Sequence, residues 1–332
     1  MATGDSSAGA TGAAVTGTAF QASTRIGYMG PHGTFTEAAL ATQSDLSQAA
    51  LMPLISVPEV LSALDDGAVD YGFVPVENAI EGAVNVTQDA LAFDFDFLIQ
   101  REVVVNVQLD LMALPGTATA DDLSAIHTVM SFPVAIAQCR AFLHGRLPNA
   151  EIEAATSTAL AARRIAEEQL AGVAAIASPT AAEIYGLETV VASVEDHRDN
   201  QTRFLLLAKN QVPPASGNDK TSIVVFQNQN EPGSLLGILM EFEARRLDLS
   251  RLESRPTRRG LGEYCFLLDF EGHISDEVVA DCLRALKMKQ RDVKFLGSFP
   301  AANGSSSSRE RVTEEAWISS DDWLKSLRRL IR

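Results

Sequence analysis

Between Arg25 and Lys209 short apolar runs alternate with stretches of helical periodicity, and no uniform secondary structure accommodates both. The runs "RIGYMG", "LMPLIS", "YGFVPVE", "EVVVNVQLDLMAL", "AIHTVMS", "GVAAIAS" and "TRFLLLAK" read as strands. The last of them, Phe204 to Ala208, is apolar at successive positions, which marks a strand buried on both faces. Between them "FTEAALATQ", "PEVLSALDDG", "PVAIAQCRAFLHG" and "TALAARRIAEEQL" repeat apolar residues at helical spacing. Alternation of this kind specifies an α/β fold, a mostly parallel sheet covered by helices.

The pattern stops at "NQVPPASGNDK", residues 210–220, where two prolines, a glycine and polar residues break every periodicity. Beyond it the order changes to strand, helix, strand, strand, helix, strand over residues 221–300. That βαββαβ order is the ferredoxin-like layout, one face of an antiparallel sheet covered by two helices. Residues 1–24 are rich in Gly, Ala, Ser and Thr without the basic and apolar regions of a signal peptide, and read as a disordered tail. Residues 301–332 form a serine-rich spacer and an amphipathic helix carrying Trp317, Trp323, Leu327 and Leu330, suited to packing on the body or on a second subunit.

Charge and cysteine content exclude several classes of function. A formal net charge of -16 disfavours nucleic-acid binding, which needs clustered Lys and Arg, so an anionic ligand must find a local positive site. No apolar run approaches the length of a membrane span. The three cysteines, Cys139, Cys265 and Cys282, match neither a disulfide framework nor a zinc site, which fits the cytoplasm. No metal or nucleotide cofactor is expected.

The chemistry gathers where strands end. Thr34 and Thr36 follow the glycines of "GPHG"; Glu77 and Asn78 follow "YGFVPV"; Ser131 precedes a helix that carries Gln138 two turns in. Thr156, Ser157 and Thr158 open another helix, and Thr202, Arg203 and Phe204 open "TRFLLLAK". Each taken singly is an ordinary helix cap or turn former. Together they supply neutral donors with scarcely a titratable base, which suits an anion site. Arg203 reads equally as a carboxylate receptor and as the partner of Glu195 or Asp199. Of the five histidines only His32 lies near these loops, and its placement reads as incidental.

"YMGPHGTFTEAAL", "VPVENAIEGAVNVT", "SFPVAIAQCRAFL", "TSTALAA" and "NQTRFLLLAK" occur in the order of the motifs of prephenate dehydratases, and "EPGSLLGIL" with "LESRP" resembles that family's regulatory ACT domain. The resemblance spans roughly Arg25 to Pro300. It implies two catalytic α/β lobes similar to type 2 periplasmic-binding proteins over residues 25–209, with the site in the cleft, followed by an ACT domain at 221–300. It implies decarboxylating dehydration of prephenate to phenylpyruvate. Thr202 corresponds to the essential threonine, and Glu77, Asn78, Ser131, Gln138, Ser157 and Thr158 fall on the remaining motif positions. Ala155 departs from members that carry a glutamate there.

By the same resemblance phenylalanine binds between ACT domains of a homodimer or tetramer, at Asn230, Pro232, Gly233, Ser234 and Leu235 and at Glu253, Ser254, Arg255 and Pro256. No chorismate mutase module fits in the short N-terminal tail, so a monofunctional enzyme is expected. Two other readings stand beside this one. Arogenate dehydratase acts on the amino analogue of prephenate, and the two-lobed architecture also serves solute-binding proteins that catalyse nothing.

Overall fold

The computed structural model of the chain describes residues 20–46, 48–260, 262–302 and 312–331. The expected N-terminal tail up to residue 19, and the serine-rich spacer at 303–311, lie outside the described residues. Phe20, at the edge of that tail, packs edge-on against Tyr71 with ring centroids 5.0 Å apart. The described residues divide into two compact units, one formed by residues 20–90 together with Val103–Ala208, the other by Leu91–Glu102 together with the chain from Lys209 onward.

The chain runs β1 (Arg25–Met29), α1 (Phe35–Ala41), β2 (Ala50–Leu54), α2 (Val57–Asp65), β3 (Tyr71–Asn78), β4 (Gly82–Ala83) and α3 (Asn85–Asp89) in the first unit, and then β5 (Leu98–Asn106), of which Val103–Asn106 belong to that unit. It then builds β6 (Asp110–Ala113), β7 (Thr128–Ser131), α4 (Pro133–Gln138), α5 (Arg140–Arg146), β8 (Glu151–Ala154), α6 (Thr158–Glu168), β9 (Val173–Ala177), α7 (Pro179–Tyr185) and β10 (Glu188–Val191). Finally β11 (Gln201–Ala208) returns to the earlier strands. Two sheets result. The first has the order β2-β1-β3-β11-β5, with β4 on β3, and the second the order β10-β6-β9-β7-β8. Each has parallel strands at its heart and an antiparallel return, β11 on β3 and β6 on β9.

Local sequence accounts for the helices. In α2 the Ser56 hydroxyl accepts the Glu59 amide, and Val57, Val60, Leu61 and Leu64 bury one face at helical spacing. In α6 Ser157 caps the Leu160 amide, and Ala159, Ala161, Ala162 and Ile165 face the second sheet. That sheet is buried on both sides: Val129 and Ile176 enter one core with Leu109 and Leu143, while Met130 and Ala175 enter another with Met112 and Ile165. In the first sheet Phe73 and Phe204 stack with ring centroids 5.2 Å apart beside Tyr28 and Leu206.

Two expected elements divide. "EVVVNVQLDLMAL" becomes β5 and β6 in different sheets, because Val107–Leu109 crosses between lobes. There the Val107 amide donates to the Asn200 carbonyl at 2.8 Å and the Leu109 amide to Glu195 Oε2 at 2.9 Å. An apolar run carries no sign of such a crossing. "PVAIAQCRAFLHG" breaks at Cys139, whose backbone leaves the helical region, and the Ala141 amide turns to the Asp196 carboxylate at 3.1 Å.

In the second unit β12 (Asp219–Phe226), α8 (Ser234–Glu243), β13 (Leu249–Pro256), β14 (Tyr264–Glu271), α9 (Glu277–Lys289) and β15 (Asp292–Pro300) form the expected βαββαβ series, and α10 (Val312–Arg328) follows. The sheet order is β13-β14-β12-β15, antiparallel throughout. Ile238, Phe242, Val279, Cys282 and Leu286 of α8 and α9 pack on Ile223, Val225, Leu268 and Phe270 of the sheet. Trp323, Leu327 and Leu330 at the chain's end are exposed.

Leu91–Glu102 is tied into this unit by buried polar contacts. Lys220 Nζ lies 2.8 Å from Glu102 Oε1, which also accepts the Ala302 amide at 2.8 Å, and Lys294 Nζ donates to the Phe95 carbonyl at 2.7 Å. Gly297 lies so close to Ile99 that an added Cβ would stand 2.9 Å from both its backbone nitrogen and oxygen, and Gly297 has φ +136°. Gly297→Val is therefore expected to lower stability by about 2 kcal/mol or more, read as a shifted urea midpoint in a far-ultraviolet dichroism titration. An unchanged midpoint would contradict the packing described.

Candidate active site

The loops singled out by sequence lie at one end of each sheet. In the first sheet they follow β1 and β3 and precede the antiparallel β11; in the second they follow β7 and β8. This is where open α/β sheets collect ligands, because strand ends there leave backbone groups unpaired. The first lobe touches the second through the loop after β1: Ser178 Oγ donates to the Gly33 carbonyl at 2.8 Å and Tyr185 Oη to the His32 carbonyl at 2.6 Å. A Cβ on Gly33 would meet Ala181 and Tyr185 at 3.1–3.3 Å, and its φ of +83° favours glycine.

Thr202 and Asn78 stand opposite each other across β11 and β3. The register shifts between Arg203 and Phe204, so that Phe204 faces Pro75 while Arg203 faces Glu77. The extra residue on β3 sets Asn78, rather than Glu77, opposite Thr202. Asn78 Nδ2 donates to Thr202 Oγ1 at 2.9 Å. Its Oδ1 accepts the amides of Ile80 and Glu81 at 3.0 and 2.9 Å, which fixes the amide with its NH2 group toward the threonine. The threonine oxygen thus acts as acceptor, and its own hydrogen points away from Asn78.

Arg203 Nη1 lies 3.9 Å from Glu77 Oε2, with only 13% of the arginine side chain exposed. The anticipated alternative partners are not the ones used. Glu195 accepts the Leu109 amide instead, so its carboxylate is committed to the lobe crossing. The enclosed guanidinium thus sits beside an acid that is 42% exposed.

The other expected residues divide into those near open space and those committed to the scaffold. Gln138 is half-buried at the end of α4, and its Oε1 accepts Asn200 Nδ2 at 3.1 Å. Ser157 caps α6, and Thr158 is the first residue of that helix. Thr34 caps α1 and donates to the Met29 carbonyl at 3.2 Å. Ser131 is fully buried, its hydroxyl donating to the Ile176 carbonyl at 2.5 Å, so it ties β7 to β9. Thr36 and Phe204 are buried as well, and Phe204 is used in the aromatic stack.

His32 is held more firmly than its sequence position suggests. Its Nδ1 lies 3.0 Å from Tyr28 Oη and 2.9 Å from Glu37 Oε1, and Glu37 Oε2 accepts the Gly33 amide at 2.6 Å. Burial, with the nearby Glu37 carboxylate adding, pushes the Tyr28 phenol well above its ordinary range, so it stays protonated. Asn200 was singled out only as part of "NQTRF", with no role of its own. The signal available was an amide placed two residues before Thr202 in a run otherwise suited to a turn.

In the second unit Gly233, with φ +89°, precedes α8, and Ser234 Oγ donates to Gln227 Oε1 at 2.6 Å. Asn230 Nδ2 donates to the Gly262 carbonyl at 2.5 Å. Pro232 belongs to the same turn, and Leu235 packs on the core beneath α8. On β13 Glu253 pairs with Arg251 at 2.8 Å and with Arg255 at 3.8 Å, while Ser254 and Pro256 are exposed. A cavity of about 400 Å³ opens beside Gln227, Asn230, Thr257, Tyr264 and Arg291.

Residues 26–212 match the family described as prephenate dehydratase. A protein of that name from Mycobacterium marinum is 40% identical over 313 residues, covering 92% of this chain and 96% of the relative. The solved structure of prephenate dehydratase in complex with L-Phe from Arthrobacter aurescens superposes with TM-score 0.83 at 35% identity, covering 92% of this chain and 100% of that one. A solved structure described as a novel type of quorum quenching acylase has TM-score 0.72 at 26% identity, covering 83% of this chain and 98% of that one.

The cysteines take no part in the geometry above. Burial pushes the Cys139 thiol up to about 12, with Asp196 and Glu195 adding, and the Cys282 thiol likewise to about 12. Cys265 is buried too. A raised thiol value keeps the sulfur neutral across the working range of pH. The folded protein is expected to react negligibly with a disulfide-exchange reagent at pH 8 and to release three equivalents in guanidinium. A rapidly reacting thiol in the native protein would contradict this.

Proposed function

Because the chain belongs to the prephenate dehydratase family, we propose that it converts prephenate to phenylpyruvate, carbon dioxide and water, with the Thr202 hydroxyl donating a hydrogen bond to the departing hydroxyl group. The observation that carries this reading is the Asn78–Thr202 hydrogen bond. The amide occupies a lone pair of Thr202 Oγ1 and leaves the hydroxyl hydrogen for a ligand.

The bond changes balance without a cofactor. As the ring carboxylate breaks from carbon and leaves as carbon dioxide, its bonding pair enters the ring. The carbon–oxygen bond to the ring hydroxyl breaks, and the leaving oxygen takes a proton to become water. Formation of the aromatic ring drives the step, so the protein's work is to position the substrate and stabilise charge. Thr202 is too weak an acid to surrender its proton outright, and it polarises the leaving group or passes on a proton from solvent. Arg203, held by Glu77, and the Gln138 amide receive the two carboxylates. Ser157 stands at the start of α6, while the buried Thr34, Thr36, Ser131, Thr158 and Phe204 hold the surrounding walls in place.

The acylase fold-relative does not displace this reading. Acyl transfer by a threonine needs a base at the hydroxyl. Here an amide donates to that oxygen instead.

The second unit serves as an ACT domain in which phenylalanine is the effector. The Arthrobacter structure in complex with L-Phe supports this. The enzyme works as a homodimer or tetramer in the cytoplasm. Among the described residues no helix is long and apolar enough to cross a membrane.

Purified protein offered prephenate, then arogenate, should release phenylpyruvate from the first in preference to phenylalanine from the second. Thr202→Ala should lower kcat by about a hundredfold or more, the scale of losing one preorganised donor, whereas Thr202→Ser retains much more. Asn78→Asp should also be severely impaired, since a carboxylate accepts the threonine hydrogen and turns it from the substrate. Normal turnover by either the alanine or the aspartate variant would overturn the assignment. For regulation, phenylalanine should raise the unfolding temperature with concentration and change activity. Gly233→Val should abolish that response while sparing basal turnover, because a side chain at positive φ deforms the turn. A normal response in that variant would move the effector site elsewhere.

A further inference from the structure

We propose that Asn200 is a positioning residue, holding the Gln138 side chain so that its NH2 group, and not its carbonyl, faces the substrate. This rests on the reading of Gln138 as a carboxylate receptor given above.

Asn200 is only 2% exposed and sits between the lobe crossing and β11. Its Nδ2 donates to Gln138 Oε1 at 3.1 Å, and its Oδ1 is buried without a hydrogen-bond partner. Burying an amide oxygen with no donor is unfavourable, and an apolar side chain of similar size would avoid the cost. Packing alone therefore does not account for an amide at this place. What the amide adds is one N–H aimed at Gln138.

That N–H resolves a degeneracy. The main chain of Gln138 is already anchored: its carbonyl accepts the Asp196 amide at 2.7 Å, and the Asp196 carboxylate holds the Ala141 amide one turn on. What remains free is rotation of the glutamine amide, whose half-turn exchanges oxygen for nitrogen with little change in shape. One orientation presents donors to an incoming carboxylate, the other a repelling carbonyl. Asn200 engages the oxygen and leaves the donors. The same residue's carbonyl accepts the Val107 amide at 2.8 Å, so the anchor belongs to the crossing between lobes. Thr202 lies two residues further along, in β11.

The test begins with prephenate turnover by the unaltered enzyme. In Asn200→Asp the carboxylate only accepts, so the Gln138 amide turns over. At alkaline pH, KM should rise by about tenfold or more, the loss of a hydrogen bond to a charged group, with kcat changed far less. At acid pH the protonated side chain donates again, and the ratio of KM between variant and unaltered enzyme should fall toward one. As a second measure, Asn200→Ser and Gln138→Leu are made singly and together. If Asn200 acts through Gln138, the serine change should add nothing to KM once Gln138 is leucine. This cycle stands even if the aspartate variant fails to fold. Additive effects in the cycle, or a KM ratio for Asn200→Asp that stays constant with pH, would overturn the proposal while leaving the dehydratase reading intact. Absence of prephenate turnover in the unaltered enzyme would remove both.

Discussion

The antiparallel return of β11 beside β3 is the constraint on which the rest of the first unit depends. It closes a sheet whose other strands all end by Asn106, with Thr202 facing Asn78 across a sequence separation of 124. Its far half, Phe204 to Ala208, is buried and fixes the strand by packing. Its near half stops where the sheet meets open space. A strand anchored deep in the core can hold one hydroxyl at its mouth with little freedom. The register shift opposite Arg203 then determines which residue of β3 that hydroxyl meets.

The polar run ahead of the strand is structural as well. Glu195, Asp196 and Asn200 hold, respectively, the Leu109 amide, the Ala141 amide and the Gln138 side chain. These groups lie on the lobe crossing, on the start of α5 and at the end of α4. "EDHRDN" looks like a loop because it is polar and aperiodic. Two of its carboxylates, Glu195 and Asp196, are spent as caps for backbone groups that irregular structure leaves open. Placement of α4 and of the strand mouth is consequently coupled through six residues.

Much of the fold was legible because burial leaves a periodic trace. The strands "RIGYMG", "YGFVPVE" and "TRFLLLAK", and the βαββαβ series after the linker, appear close to where the apolar patterns put them. Short β8 and β10, and α7, were missed, having too few apolar residues for a periodic signal. The division of β5 from β6 was illegible because the apolar run continues from one into the other. In the site, residue types named the strand-end loops, but not what each side chain does within them. Ser131 reads identically in sequence whether its hydroxyl faces a ligand or the Ile176 carbonyl. The partner of Arg203 depended on a register shift that no local pattern announces.

The second lobe is an insertion between β5 and β11, and this order of elements has a consequence for assembly. Strands β6 to β10 come from one continuous stretch, so their sheet can close as soon as that stretch has left the ribosome. The first sheet needs β11 between β3 and β5 and stays incomplete until residue 208 has been synthesised. Until then β3 and β5 present unpaired edges, the kind of surface that attracts other chains. During synthesis the lobe whose strands begin first is thus the last to close, and its exposed period lasts as long as translation of the lobe inserted within it.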